Sequence, residues 1–238
     1  MLNIQNLTKR YGSKTAVDNL SLHIEAGEIC AFIGHNGAGK TTTLKACCGL
    51  LTPDSGTITV DGMPIRERPI DCKRVMAYIP DNPDMYEFLT GYEYLNFVAD
   101  VYGVSKADRE RRIAELGALL GITEALGGAI SECSHGMKQK IAIISALIHK
   151  PKLILMDEPF VGLDPVAAHQ LKNLMAEHCA AGGAIFFSTH VLEVAEKLCN
   201  KVAIIRSGKL IAYGAMDEVR GDSSLEEIFL ELEEEKAQ

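Results

Sequence analysis

No apolar run in the 238 residues approaches the roughly 18 that a membrane-spanning helix needs, and Lys150-Pro151-Lys152 interrupts the most hydrophobic stretch. The opening Met1-Leu-Asn-Ile-Gln-Asn lacks the basic segment and apolar core of a secretory signal, so the expectation is a protein made and kept inside the cell. Positive charge is also in deficit. Twenty-four Lys plus Arg stand against 32 Asp plus Glu, a net charge of -8, which is the wrong sign for a general nucleic-acid binder. The deficit is local: seven acids and one Lys fall between Asp222 and Gln238, leaving only -2 on the preceding 221 residues. Paired cysteines are missing too. None of the seven Cys forms a C-x-x-C and Cys47 and Cys48 are adjacent, which indicates neither a disulfide framework nor a zinc site but small buried thiols. There is no internal repeat, low-complexity linker or heptad run.

What is present has the proportions of a globular protein, 47% hydrophobic and 24% charged, in a length that allows one large domain or two small ones. Apolar and polar residues alternate in Leu2-Asn-Ile4-Gln5, Leu20-Ser-Leu22-His-Ile24 and Thr57-Ile-Thr-Val60, the pattern of half-exposed antiparallel strands. Ile29–Ile33, Leu153–Met156 and Ala184–Phe187 are instead continuously apolar, as the centre of a parallel sheet covered on both faces demands. From about Pro83 to Lys150 the period turns helical. Thr90 with Glu93, and Ser105 with Asp108, have capping-box spacing before amphipathic stretches. The expected class is therefore α/β, with a mixed or parallel core sheet, an N-terminal antiparallel β subdomain and an inserted helical subdomain. Residues 1–83 and 151–220 would form the core with its β subdomain, 84–150 the helical insertion, and 221–238 an acidic C-terminal helix or tail.

The chemistry starts at Gly34-His35-Asn36-Gly37-Ala38-Gly39-Lys40-Thr41, which fits G-x-x-x-x-G-K-[ST] and lies directly after a buried strand and before the helical stretch opening at Thr42. Glycines let backbone N–H groups turn inward around phosphate oxygens, the helix start adds positive potential, Lys40 supplies a point charge and Thr41 a hydroxyl for Mg²⁺. A second motif ends another buried strand: Asp157 is placed to hold Mg²⁺ through water, and Glu158 to orient and deprotonate an attacking water. No Asn-Lys-x-Asp guanine-reading motif occurs, which argues against a GTPase.

Taken in order, these motifs resemble those of the nucleotide-binding domain of ABC (ATP-binding cassette) ATPases over nearly the whole chain, a P-loop NTPase fold. Tyr11 stands where the family stacks an aromatic on adenine, with Val17 as apolar neighbour; Tyr78-Ile-Pro-Asp81 stands at the Q-loop, Cys133-Ser134-His135-Gly136-Met137 at the signature, Gly162-Leu-Asp164-Pro165 at the D-loop, and His190 at the switch histidine. Spacing agrees, with 23 residues from Ser134 to Asp157 and 33 more to His190. The wording around Ser134 and Asp157 is similar to that of bacterial exporter ATPases, the Ecs-type branch in particular.

The resemblance implies that two copies form a homodimer around two ATP, each P-loop facing the other's Ser134, His135, Gly136 and Met137. Glu158, His190 and Lys40 would be catalytic, and Thr41, Asp81 and Asp157 would hold Mg²⁺. It further implies a separate integral-membrane permease as partner, no nucleic acid, a place at the inner face of the cell membrane, and export. Three positions depart from the pattern: Asp81 replaces a usual Gln, His135 and Met137 alter the signature, and His35 replaces a frequent Pro whose side chain should point away from phosphate. Two other readings stay open, a soluble ABC protein acting on ribosomes or DNA and a degenerate regulatory cassette. His23, His149, His169 and His178 read as surface or packing residues, and the tyrosines and Phe97 of residues 86–102 as packing for the helical region. For Leu225, Ile228, Phe229 and Leu232, docking and partner contact are both open.

Overall fold

The computed structural model describes residues 1–234. β1 (Leu2–Tyr11) and β2 (Lys14–Ile24) form a hairpin whose alternation buries Leu2, Ile4, Leu7, Leu20, Leu22 and Ile24. The fully buried β3 (Ile29–Ile33) leads through a glycine-rich loop into α1 (Lys40–Cys47). Next come β4 (Ser55–Val60), β5 (Met63–Pro64), α2 (Pro69–Val75) and β6 (Met76–Ile79). Three helices follow: α3 (Gly91–Val101), α4 (Lys106–Leu119) and α5 (His135–Leu147). The chain then runs through β7 (Leu153–Asp157), α6 (Pro165–Ala180), β8 (Ala184–Thr189), α7 (Leu192–Leu198), β9 (Lys201–Arg206), β10 (Lys209–Ala215), α8 (Met216–Arg220) and α9 (Leu225–Glu234).

Two sheets result. One is antiparallel with the order β2-β1-β4-β5, and the other has the order β10-β9-β3-β8-β7-β6, parallel except for the edge strand β10. β3, β7 and β8 are buried at every residue, as strands covered on both faces must be. One face packs with α1 beneath the antiparallel sheet, around Phe32, Leu44 and Phe186; the other packs against α3 to α9, around Ile33, Ile143, Met156 and Phe187. Because β3, β7 and β8 are parallel, the loops leaving their C-terminal ends emerge on one edge, where an open α/β sheet binds ligands.

Local chemistry sets the helix starts. At α3 the Thr90 hydroxyl accepts the Glu93 N–H while the Glu93 carboxylate accepts the Thr90 N–H, a complete capping box. Ser105 caps α4 and Ser134 caps α5; Asp164 caps α6, with Pro165 at its first position. α9 docks: Leu225 is buried, and Ile228, Phe229 and Leu232 pack on the core. Residues 235–238 of the expected acidic tail lie outside the described residues. The seven thiols are free, all buried except the half-buried Cys133; burial pushes those of Cys48 and Cys179 up to about 11.

One expectation holds only in part: Tyr94 packs on the core and Tyr102 stacks on His149, whereas Tyr86, Tyr92 and Phe97 are exposed, at 53%, 39% and 47%, beside Phe88 at 81% and Val101 at 67%. α3 has one polar stripe, Glu93, Asn96 and Asp100, and an apolar arc wider than the side that is buried, which bears Leu95 and Ala99.

Candidate active site

The loop between β3 and α1 is shaped by two close approaches. A side-chain carbon at Gly34 would lie 2.3 Å from the Ile205 carbonyl oxygen, and one at Gly39, whose φ is +114°, 2.4 Å from that of Ala16. Only glycine lets β9 and β2 pass this near. The N–H groups of the first turn of α1 have no intrahelical partner and carry the positive end of the helix dipole. Lys40 is buried, and its ammonium donates to the carbonyls of Gly34 at 2.5 Å and His35 at 3.3 Å. Burial lowers its pKa, an effect opposed by the nearby carboxylates of Glu158 and Asp157.

Those carboxylates reach Lys40 because β7 and β8 end side by side. Asp157 is buried, and its Oδ1 accepts from the Ser188 hydroxyl at 2.5 Å. Glu158 has a φ of +47° and donates its N–H to the same Ser188 oxygen at 3.0 Å. That turn points its carboxylate two ways, with Oε1 3.8 Å from the Lys40 ammonium and Oε2 2.9 Å from His190 Nδ1. A carboxylate only accepts, so the imidazole donates from Nδ1. Within one cleft of about 300 Å³ the fold gathers Tyr11, His35, Asn36, Gly37, Gly39, Lys40, Thr41, Thr42, Asp81, Asp157 and Glu158, together with Lys14 and Ala16. Tyr11 stands exposed at the end of β1 with the Lys9 ammonium 5.5 Å above its ring.

Other expected residues lie elsewhere. Val17 is fully buried and contributes nothing to the cleft wall; strand alternation turns it into the core and gives its neighbour Ala16 the outward position. Ala38 is likewise buried, in the core beneath the loop, and Gly34 sits behind Lys40. Ser134, His135, Gly136, Met137 and Asp164 do not line the cleft. They form a separate junction, where the His135 ring and the Gly136 backbone lie against Gly162 and Lys140 donates to Asp164 at 2.6 Å. That lysine, then the Ala167 N–H, holds the Asp164 carboxyl below the usual range. Ser188 and Ala16 were missed by sequence reasoning: serine in a Ser-Thr-His run carries no pattern for bridging two acids, and the face of Ala16 depends on strand register.

A glycine-rich phosphate cradle, with an acid pair and a histidine at neighbouring strand ends, defines a P-loop ATPase cassette. Residues 17–161 match the ABC transporter family, and the chain belongs to it. It is 36% identical to the ABC-type transporter ATP-binding protein EcsA of Bacillus subtilis, across 100% of this chain and 98% of that one. Similarity to the Nod factor export ATP-binding protein I of Cupriavidus metallidurans is 34% identity, over 92% of this chain and 72% of that one. A solved structure of an ATP-binding subunit of an ABC transporter superposes with a TM-score of 0.94 at 37% identity, covering 98% of this chain and all of the other.

Proposed function

We propose that the chain powers a separate membrane permease, in export, by binding and hydrolysing ATP between two copies of itself. The observation that carries this reading is the Glu158 carboxylate suspended between Lys40 and His190 at the mouth of a glycine-rich cradle. Phosphates would take the N–H groups at the start of α1 and draw the Lys40 ammonium from its carbonyls; adenine would stack on Tyr11. Glu158 then accepts the proton of the attacking water as the water oxygen bonds to the γ-phosphorus and the bond to the β–γ bridging oxygen breaks, releasing ADP, and His190, donating from Nδ1, holds that carboxylate in place. Ser188 fixes Glu158 relative to Asp157 through its backbone N–H.

Thr41, Asp81 and Asp157 are oxygen donors on one cleft, and among the described residues no group of three or more His, Cys, Asp or Glu could hold a metal unaided. That suits Mg²⁺, which takes one or two protein oxygens and completes its shell with phosphate and water. When bound, the ion would neutralise charge on the β- and γ-phosphates.

Because Ser134–Met137 stands apart from this chain's own cleft, a second copy would supply it across the nucleotide. No helix among the described residues is long and apolar enough to cross a membrane, and the exposed Tyr86, Phe88, Phe97 and Val101 offer an apolar surface for a membrane partner. The export direction draws on the likeness to the Nod factor export protein. Glu158→Gln is expected to keep ATP binding and slow turnover by about 10²–10⁴, the worth of a positioned base. A variant that hydrolyses ATP at the unsubstituted rate would remove Glu158 from the mechanism.

A further inference from the structure

α9 reaches the phosphate loop. The ring of Phe229, in the middle of the helix, packs on the ring of His35 with centroids 5.0 Å apart and planes inclined by 60°. His35 occupies the outer limb of that loop, and its backbone carbonyl is engaged twice, accepting the Ala38 N–H at 3.1 Å and the Lys40 ammonium at 3.3 Å. One residue therefore links α9 by its side chain to the turn and the cation of the cradle by its backbone. The helix is well anchored for this task. Ser224 and Glu227 cap its start reciprocally at 2.8 and 3.2 Å, and Leu225 is buried. The Arg206 guanidinium, at the end of β9, donates to the Leu232 carbonyl one turn beyond Phe229. α9 also packs on α7, the helix that follows His190.

We propose that Phe229 is a positioning residue for nucleotide binding: α9 clasps His35 and thereby holds the outer limb of the phosphate loop in its binding shape. The proposal rests on the reading of the cleft as the ATP site. A loop that must be ordered when phosphate arrives binds less tightly than one already held, so the clasp raises affinity without touching the reacting atoms. Coupling of this kind is reciprocal. Nucleotide in the cradle must tighten the docking of α9 by the factor by which docked α9 tightens nucleotide.

The test uses the full chain and ATP. Phe229→Ala is expected to raise the Kd for ATP, and the KM, by about 5–10-fold while kcat changes little, since coupling between sites is commonly of that size. Phe229→Tyr keeps the ring and should restore the affinity of the unsubstituted chain. His35→Ala should weaken ATP as Phe229→Ala does, and the double variant should be no weaker than either. Independently of any substitution, saturating ATP should slow hydrogen exchange of the α9 amides. An unchanged Kd in Phe229→Ala, additive losses in the double variant, or α9 exchange indifferent to ATP would overturn the clasp. Lys40→Ala separates the two claims: if it binds ATP normally, the reading of the cleft fails, whereas loss of ATP there with an unaffected Phe229→Ala removes the clasp alone.

Discussion

Ser188 joins two carboxylate residues that must not move independently. Its hydroxyl donates to Asp157, and its oxygen accepts the N–H of Glu158, a non-glycine residue held at positive φ. Ser188→Ala leaves a buried Asp157 oxygen without its donor, at a cost of about 1–3 kcal/mol in unfolding free energy. Turnover should fall while ATP affinity persists, which steady-state rates beside a nucleotide titration will show; equal rates would make Ser188 a packing residue only. Asp81 is exposed on the same cleft and adds a charge where the family has an amide. On the proposal that Asp81 reaches the metal and that attraction to the divalent ion outweighs repulsion from phosphate, Asp81→Asn should shift the Mg²⁺ titration of hydrolysis to higher concentration and leave metal-free nucleotide affinity nearly unchanged. A superimposable titration would put Asp81 outside the metal's reach. At this scale Lys40, Asp157 and Glu158 were legible because glycine spacing and strand-end acids are local patterns, whereas His190 came only from the family resemblance. The resemblance, not the strand pattern, suggested Val17; the structure turns Ala16 to the cleft and Val17 into the core, since one residue along a strand exchanges the faces.

Helix starts were legible for the same reason: Thr90 with Glu93 is a contact within four residues, and the structure forms both halves. Replacing Thr90 with Ala should lower stability by about 1 kcal/mol, read from a urea transition. The exposed side of α3 was not legible, because its apolar arc is wider than one packed face and the placement of α4, α5 and the turn before α5 decides which part is covered. Tertiary placement also creates a pH dependence. The His149 ring stacks on Tyr102 with centroids 3.7 Å apart, and His178 lies against the Lys152 carbonyl; burial lowers the pKa of both from the ordinary 6.5. The unfolded chain then binds more protons than the folded one. Stability is thus complete above about pH 6.5 and falls as acid drives the two rings toward their depressed folded values. His149→Gln should flatten a melting curve taken between pH 7 and 5; an unchanged slope would assign the acid sensitivity to other groups.

Across the whole molecule, the order β10-β9-β3-β8-β7-β6 depends on pairings between distant segments that no local pattern encodes. Its consequence is functional. Parallel strands bring residues from 34 to 42, 157, 158 and 190 to one edge, whereas the segment from Ser134 to Met137 begins a helix outside that cleft. Of the altered residues, His135 is exposed and Met137 packs partly on the core; under the proposed pairing of two copies, removing the Ser134 hydroxyl should weaken association more than it weakens nucleotide binding by one chain. The most direct measurement is the mass in solution of the Glu158→Gln chain with and without ATP and Mg²⁺. A monomer that doubles its mass only with nucleotide, and loses that response in the added Ser134→Ala background, is the expected result; a mass indifferent to ATP would contradict closure of two copies around the nucleotide.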